Sequence, residues 1–326
     1  MEIVSVNVGN RADEHTEDIV PRHKGNGSPK IYPPDFDPAP VQAWIDGGCK
    51  GDPPKGGKFY TRTTTFIDAL DDKSSIEKWK TRKALQGVLQ AIPFGGDAMT
   101  NEFYNFPEKD TDWDSRETKQ ALDALAERAR KAAGTSNRAD IGTAIHEVTE
   151  AYDNGEEIGF LPPEFEDDVN AYIDATKGME MVGVEQFVVN DDMCYAGTAD
   201  RLIRVKGGLA DSLGVPDGAV VIGDLKTGSS VDYSRGKYGM QLAAYAYGKV
   251  YDPYTLKRSP LKYGRNVARK DKGILIHLPA GEGICKVYGV DLTRGWKDVK
   301  LALAVRQYRS HHNSKAGEFD LLREVG

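Results

Sequence analysis

Cysteine is scarce in this chain of 326 residues, and that scarcity excludes several kinds of site. Cys49, Cys194 and Cys285 lie far apart, and no two of them form a C-x-x-C pair. A disulfide framework needs closely spaced cysteine pairs, and a four-cysteine zinc or iron–sulfur site needs more cysteines than the chain has. We expect three unpaired thiols in a reducing compartment.

Long apolar runs are absent as well. No stretch reaches the ~18 apolar residues that a membrane-spanning helix requires, so we expect no such helix. The N-terminal segment MEIVSVNVGNRADEH lacks the basic start and apolar core of a secretory signal. Hydrophobic residues make up 39% and charged residues 29% of the chain, which is typical of a globular protein. We expect this protein to stay in the cytoplasm.

Positive charge is in the minority, since the formal net charge is -7. This is the wrong sign for a protein that coats nucleic acid, but it does not exclude an enzyme that contacts a few phosphates. Basic residues concentrate in residues 257–272, where seven lysines and arginines stand against one aspartate. This basic segment is either a phosphate-contacting loop, with Arg265, Arg269 and Lys270 as candidate DNA contacts, or a solvated loop.

Composition divides the chain into three parts. Residues 1–57 are rich in Gly, Pro, Asp and Lys, which predicts an extended or partly disordered arm with a short helix near residues 41–45. Residues 58–135 predict a helical region, because SSIEKWKTRKALQGVLQAI and DSRETKQALDALAERARKAA have helical periodicity. The apolar positions of the first pattern are Ile76, Trp79, Leu85 and Leu89.

Residues 136–326 predict an α/β domain with a central mixed sheet flanked by helices. Two helical patterns, residues 138–155 and 163–178, precede three strand patterns at 181–190, 193–205 and 218–228. The last two strands are separated by the turn-rich stretch GGLADSLGVPDG. A helix, a hairpin and a final helix then follow along the chain.

Asp224 and Lys226 end an apolar strand, and the period of two places both side chains on one face. An acid and an amine at the end of a buried strand need partners. They form either an ordinary ion pair or a site in which Asp224 holds a divalent cation beside a reacting water. On the preceding strand, Asp200 either supplies a second carboxylate for such a cation or pairs with Arg201 or Arg204.

Two helices carry further candidates. His146 and Glu150 are four residues apart and therefore share a helical face, as do Gln241 and Tyr245. A lone helical His is more often a solvent-exposed or satisfied core residue than a metal ligand. The alternative for Gln241 and Tyr245 is a helix with polar and aromatic surface residues.

Taken in order, GTAIH, GTAD, IGDLKTG and QLAAY resemble the motifs of the RecB-like branch of the PD-(D/E)XK nuclease superfamily. The resemblance covers roughly residues 138–250, and the combination is specific although each piece is weak. Upstream, TRTTTFIDALDDKSSIEKW resembles, more loosely, the entry region of phage-encoded exonucleases of this branch. The implied fold is a restriction-endonuclease-like core at residues 136–326, with an N-terminal helical region at 58–135 that frames the cleft.

The resemblance also implies roles for individual residues. Asp200, Asp224 and Lys226 would be catalytic, with Lys226 acting on the attacking water. The metal ligands would be His146, Asp200, Asp224 and the backbone carbonyl of Leu225. Gln241 and Tyr245 would position the DNA strand, and Glu185 would be a further acid near the site. Glu150 is a further possible site residue because it shares the helical face of His146. The metal would be Mg²⁺ or Mn²⁺, and the iron–sulfur cluster of many relatives would be absent because its four cysteines are missing.

The function implied is a metal-dependent DNA exonuclease in phage recombination, replication or repair, acting in the cytoplasm of a bacterial host. Two alternatives stay open, namely a catalytically inactive DNA-binding or assembly module and a structure-specific endonuclease on the same fold. DNA is the expected partner and no membrane is expected. Whether the chain forms a homo-oligomer or binds a recombination partner protein is also open.

Overall fold

The computed structural model describes residues 19–91, 112–113, 115–156, 158, 161 and 163–312. The chain forms two compact units: a larger one built from the chain up to Asp71 and from Thr149 onward, and a smaller one built from Asp72–Val148. Within the described residues, no helix combines the length and apolar character needed to cross a membrane.

The helices, in chain order, are α1 Ala39–Asp46, α2 Thr63–Ile67, α3 Ser74–Ala91, α4 Arg116–Ala132, α5 Thr135–Asp153, α6 Pro163–Thr176, α7 Gly207–Leu213, α8 Arg235–Ala246 and α9 Leu292–His312. The strands are β1 Lys30–Ile31, β2 Lys58–Phe59, β3 Thr61–Arg62, β4 Met179–Asn190, β5 Tyr195–Val205, β6 Val220–Lys226, β7 Lys249–Tyr251, β8 Arg258–Pro260, β9 Lys262–Tyr263, β10 Asn266–Val267, β11 Lys272–His277 and β12 Lys286–Asp291.

A mixed sheet forms the centre of the larger unit. Its strand order is β12-β11-β6-β5-β4-β7-β8, and β3 pairs with the start of β5. The β6–β11 and β3–β5 pairs are parallel, whereas the other pairs are antiparallel. The expected fold class, α/β with a mixed central sheet flanked by helices, is confirmed at this level.

Helices α2, α8 and α9 pack over one face of the sheet. The core there joins Leu202 of β5 and Ile222 of β6 to Leu242 of α8 and Val299 of α9. Leu202 and Ile222 are register partners in neighbouring strands, so they point to the same face. Asp200 and Asp224 lie two residues from Leu202 and Ile222 in their strands, so their side chains share the face that α8 covers.

A second core contains much of the segment at residues 19–57, for which composition predicted an extended or partly disordered arm. Ile31, Tyr32 and Val41 are buried there against Phe187 of β4 and Tyr251 of β7. Its Gly and Pro content restricts regular structure to short elements such as α1 and β1, but it does not prevent burial of the apolar side chains between them. The predicted short helix near residues 41–45 is confirmed by α1. Residues 1–18 of the expected arm lie outside the described residues.

The smaller unit contains α3, α4 and the start of α5. Both predicted helices of residues 58–135 form, and Ser115 caps α4 by accepting a hydrogen bond from the Thr118 backbone N–H. α3 and α4 meet at backbone contact, because a Cβ on Gly87 would lie 1.8 Å from the Ala129 carbonyl oxygen. The contact with α4 does not cover the apolar residues of the predicted pattern in α3. Four of these side chains are exposed, namely Ile76, Trp79, Leu85 and Leu89.

In the turn-rich stretch between the second and third strands, the structure has the short helix α7. It ends at Gly214, whose φ of 66° is in the left-handed region that glycine tolerates. A glycine is a common end of a helix, but seven residues are too few to give the periodic pattern that would predict this helix.

Candidate functional site

Asp224 and Lys226 lie at the C-terminal end of β6, on the face that α8 covers. The Asp224 side chain is buried, and its Oδ2 lies 2.6 Å from the Lys226 Nζ. Burial lowers the pKa of Lys226, but the carboxylates of Asp224 and Asp200 outweigh it and the net pKa is raised. The amine therefore carries its proton and pairs with Asp224, as one of the two interpretations of this motif expected.

Asp200 lies beside this pair on β5. Arg201 pairs with Gly223 in the β5–β6 register, so one further step places Asp200 across from Asp224. The Asp200 Oδ2 accepts a hydrogen bond from the Leu225 backbone N–H at 3.1 Å. The fold thus brings together two carboxylates that are 24 residues apart in sequence, as the motif order predicted.

The alternative ion partners proposed for Asp200 are engaged elsewhere. Arg201 follows Asp200 directly, so its side chain points to the opposite face of β5. There its Nε donates to Asp153 Oδ2 at 2.5 Å. Arg204 lies 3.2 Å from Glu180, its register partner on β4. Arg201 Nη1 also donates to the Asp200 backbone carbonyl, at 3.3 Å.

Gln241 and Tyr245 face the sheet from α8, and both are buried. The interpretation as surface residues is therefore wrong. Gln241 Nε2 donates to Asp224 Oδ1 at 3.0 Å and lies 3.4 Å from the Tyr245 hydroxyl. Burial and then the charges of Asp200 and Asp224 raise the pKa of Tyr245 well above its usual value. Tyr245 therefore stays protonated and keeps its hydroxyl proton for a hydrogen bond.

Glu185 lies on β4 in the same row as the two aspartates. Its neighbours Val184 and Gln186 pair with Arg201 and Ala199, which places Glu185 level with Asp200. Its φ of 49° is in the left-handed region, which is uncommon for a residue with a side chain. The charge of Glu185 contributes to the raised pKa of Tyr245, so it lies within electrostatic range of that hydroxyl.

His146 and Glu150 lie on α5, on the two sides of the boundary between the compact units. His146 is half-buried in the smaller unit, and its role as a metal ligand stays a prediction. Glu150 belongs to the larger unit, where its Oε1 lies 3.7 Å from Arg201 Nη1. Glu150 is thus a partner of Arg201, on the face of β5 that points away from Asp200.

The basic segment lies at the other end of β6. The Arg269 backbone N–H donates to the Val220 carbonyl, the first residue of that strand. Lys226 is the last residue of β6, about 20 Å away at ~3.3 Å per residue. The Arg269 guanidinium is held by Asp271, and Lys270 lies 4.9 Å from the ring centre of Tyr247. Arg265 is exposed. The structure does not bring these three residues to Asp224.

The oxygen donors of the site suit a hard divalent cation. Within the part of the chain that the structure describes, no three His, Cys, Asp or Glu side chains form a group that could hold a metal ion by themselves. Mg²⁺ ordinarily needs only one or two carboxylates, because waters and substrate phosphates complete its shell. Asp200 and Asp224, opposite each other on adjacent strands, meet that requirement.

The structure adds residues that sequence patterns did not single out. Tyr172 donates to Asp153 Oδ2 at 2.6 Å, which completes a buried group around Arg201. His277 is the register partner of Lys226, and its Nε2 lies 2.7 Å from the Gly228 carbonyl oxygen. The Tyr238 ring centre lies 5.6 Å from Lys226 Nζ. Only Tyr238 had a signal in sequence, since it lies three residues before Gln241 on one helical face.

The fold and site together define an α/β protein with two carboxylates and a lysine at the centre of a mixed sheet. In comparisons with known proteins, no known family and no curated protein sequence matches this chain.

Proposed function

We propose that this protein is a metal-dependent nuclease that hydrolyses DNA phosphodiester bonds, and that it acts as an exonuclease in recombination, replication or repair. The observation that supports this most is the joint position of Asp200, Asp224 and Lys226 on one face of two neighbouring strands. Asp224 is buried and Asp200 and Lys226 are partly buried, and taking charged groups out of water is costly. Three such groups at the end of one strand pair favour a catalytic role over a purely structural one.

Asp200, Asp224 and the Leu225 carbonyl would hold Mg²⁺ or Mn²⁺. When bound there, the ion would neutralise a phosphate oxygen and activate a water. Lys226 contributes a fixed positive charge where negative charge builds up on the phosphate during attack. Gln241 holds the Asp224 carboxylate in place through its 3.0 Å hydrogen bond. The Tyr245 hydroxyl accepts from Gln241 Nε2 at 3.4 Å and keeps its own proton to donate.

The direct test is a nuclease assay on end-labelled single- and double-stranded DNA with Mg²⁺ or Mn²⁺. We expect cleavage by the natural sequence and a loss of about a hundredfold or more in Asp224→Asn and in Lys226→Ala. The matched controls are Asp174→Asn and Lys177→Ala, which break an ion pair whose side chains are both 71% exposed. Full activity in a folded Asp224→Asn protein would contradict the proposal.

A closed circular substrate separates the exonuclease from a structure-specific endonuclease. An exonuclease needs a strand end, so the linear DNA should be degraded while the circle persists. Cleavage of the circle would favour the endonuclease.

A catalytically inactive DNA-binding module is the second candidate. It is favoured by the Lys226–Asp224 ion pair together with the lack, among the described residues, of a three-ligand group. Titration calorimetry with Mn²⁺ distinguishes the two functions. Binding that Asp200→Ala abolishes supports the nuclease, whereas no binding together with intact DNA affinity supports the inactive module.

A further inference from the structure

A cavity of about 510 Å³ opens beside the candidate site, within the larger unit. It lies between the start of α8, the start of α9 and the strands β11 and β12. Its volume is within the roughly 300–1,000 Å³ typical of small-molecule sites. None of the motifs that suggested a nuclease accounts for it.

Two residues connect this cavity to the candidate active site. Tyr238 lines the cavity, and its ring centre lies 5.6 Å from Lys226 Nζ. Leu275 also lines it, and is the register partner of Asp224 on the neighbouring strand β11. The cavity therefore begins one strand away from the carboxylate at the centre of the site, about 5 Å at the usual strand spacing.

The walls of the cavity suit a flat aromatic ring. Tyr238 and Tyr288 line it, and Tyr288 is 40% exposed on β12. Along the wall that α8 forms, Gly236 and Gly239 carry no side chain. A Cβ on Gly236 would meet no atom within 4 Å, and one on Gly239 would meet only Val290, at 3.9 Å. The missing side chains leave open space along this wall.

The charged groups of the cavity suit the rest of a nucleotide. Arg235 and Arg294 line it; Arg235 forms an exposed ion pair with Asp232, and Arg294 is exposed in the first turn of α9. Guanidinium groups are good phosphate ligands because their planar donors match phosphate oxygens. Asp298 also lines the cavity and is half-buried, so its carboxylate can accept hydrogen bonds from a base amine.

We propose that this cavity receives one nucleobase of the DNA strand next to the bond that is cleaved. Tyr238 and Tyr288 contact the base, and Arg235 and Arg294 contact its neighbouring phosphates. This inference rests on the proposed nuclease function. It further requires that the DNA substrate has a single-stranded segment with at least one unpaired base. A base within a duplex is stacked and paired, so it must leave the stack to enter such a cavity.

The test uses end-labelled single-stranded oligonucleotides that each carry one abasic site, at successive positions from either end. For the natural protein we expect one position at which the missing base raises KM about tenfold, the size typical of losing one base–aromatic stack. Tyr288→Ala should raise KM about tenfold for the intact oligonucleotide and remove the difference between intact and abasic substrates. Gly236→Phe, which fills the open wall, should do the same.

Two control variants match these changes. Tyr308→Ala removes a tyrosine that is 62% exposed on α9 and does not line the cavity, so the abasic effect should persist. Lys300→Ala is the matched control for Arg294→Ala, since both residues are exposed on α9. Arg294→Ala should raise KM for intact and abasic substrates by the same factor, because it removes a phosphate contact.

Failure of this inference differs from failure of the nuclease proposal. If the natural protein cleaves DNA with equal KM at every abasic position, the cavity does not bind a base and only the inference is overturned. The inference is also overturned if Tyr288→Ala raises KM by the same factor for intact and abasic substrates. If no cleavage occurs with either metal, the same oligonucleotides are compared by fluorescence anisotropy in EDTA. A position-specific loss of affinity there supports the cavity, and its absence overturns it.

Discussion

The Asp200 carboxylate accepts a hydrogen bond from the Leu225 backbone N–H, and the oxygen and nitrogen are 3.1 Å apart. This bond joins the side chain of one strand to the backbone of the next, between the two residues Asp224 and Lys226. The bond fixes the position of the Asp200 carboxylate relative to the end of β6. Substitutions at Asp200 can therefore remove either the carboxylate charge alone or the charge together with this hydrogen bond.

Asp200→Asn should retain stability, because the amide oxygen still accepts from Leu225, while it removes the negative charge. Asp200→Ala should lower the free energy of unfolding by about 1.5–3 kcal/mol, the usual size for a hydrogen bond to a charged group. Both variants should lose nuclease activity and Mn²⁺ binding. Urea denaturation and titration calorimetry measure the two effects, and equal stability of the two variants would contradict the role assigned to this bond.

The buried guanidinium of Arg201 should be costly to leave without its main partner. Its side chain is fully buried against Asp153, whose other contact is the Tyr172 hydroxyl. We expect Asp153→Ala to lower the free energy of unfolding by about 3–5 kcal/mol. Asp174→Ala, which breaks the exposed pair with Lys177, should change it by less than about 1 kcal/mol. Chemical denaturation of both variants checks this, and similar losses would contradict it.

Gly197 allows Thr63 and Tyr245 to approach β5. A Cβ there would lie 2.8 Å from Thr63 Oγ1 and 3.4 Å from the Tyr245 ring. Gly197→Ala should therefore destabilise the protein by about 1–3 kcal/mol, as overpacking of a core usually does. Gly208→Ala is the control, since a Cβ in α7 would meet nothing within 4 Å.

The Gly208→Ala control should raise the stability of the protein rather than lower it. Alanine is favoured over glycine in a helix by about 0.5–1 kcal/mol, so this variant should unfold at a higher temperature than the natural protein. Thermal unfolding followed by circular dichroism compares the two variants. A Gly197→Ala protein as stable as Gly208→Ala would show that Thr63 and Tyr245 move aside without cost.

Cys285 should react slowly with alkylating agents. Burial raises the pKa of its thiol to about 11, and the thiolate is the reactive form. At pH 8 the folded protein then has about a hundredfold less Cys285 thiolate than the unfolded chain, whose thiol has a pKa of about 9. Iodoacetamide labelling followed by mass spectrometry, with and without urea, measures this ratio. Equal rates in both conditions would show that the thiol titrates normally.

The sequence by itself determined the local elements of this protein and which residues share a face. The period of two placed Asp224 and Lys226 together, and the helical period placed Gln241 and Tyr245 together, because these spacings follow from backbone geometry. The short helix α1 had an equally local signal. The motif order predicted that Asp200 joins Asp224, and the β5–β6 register agrees with it.

Only the tertiary structure decided which partner each side chain has. Arg201 pairs with Asp153 rather than Asp200, because successive strand residues point to opposite faces and α5 supplies an acid on the far side. The basic segment lies at the opposite end of β6 from Lys226, and the apolar face of α3 is exposed. These outcomes depend on contacts between residues far apart in the chain, and composition and periodicity describe only neighbours along it.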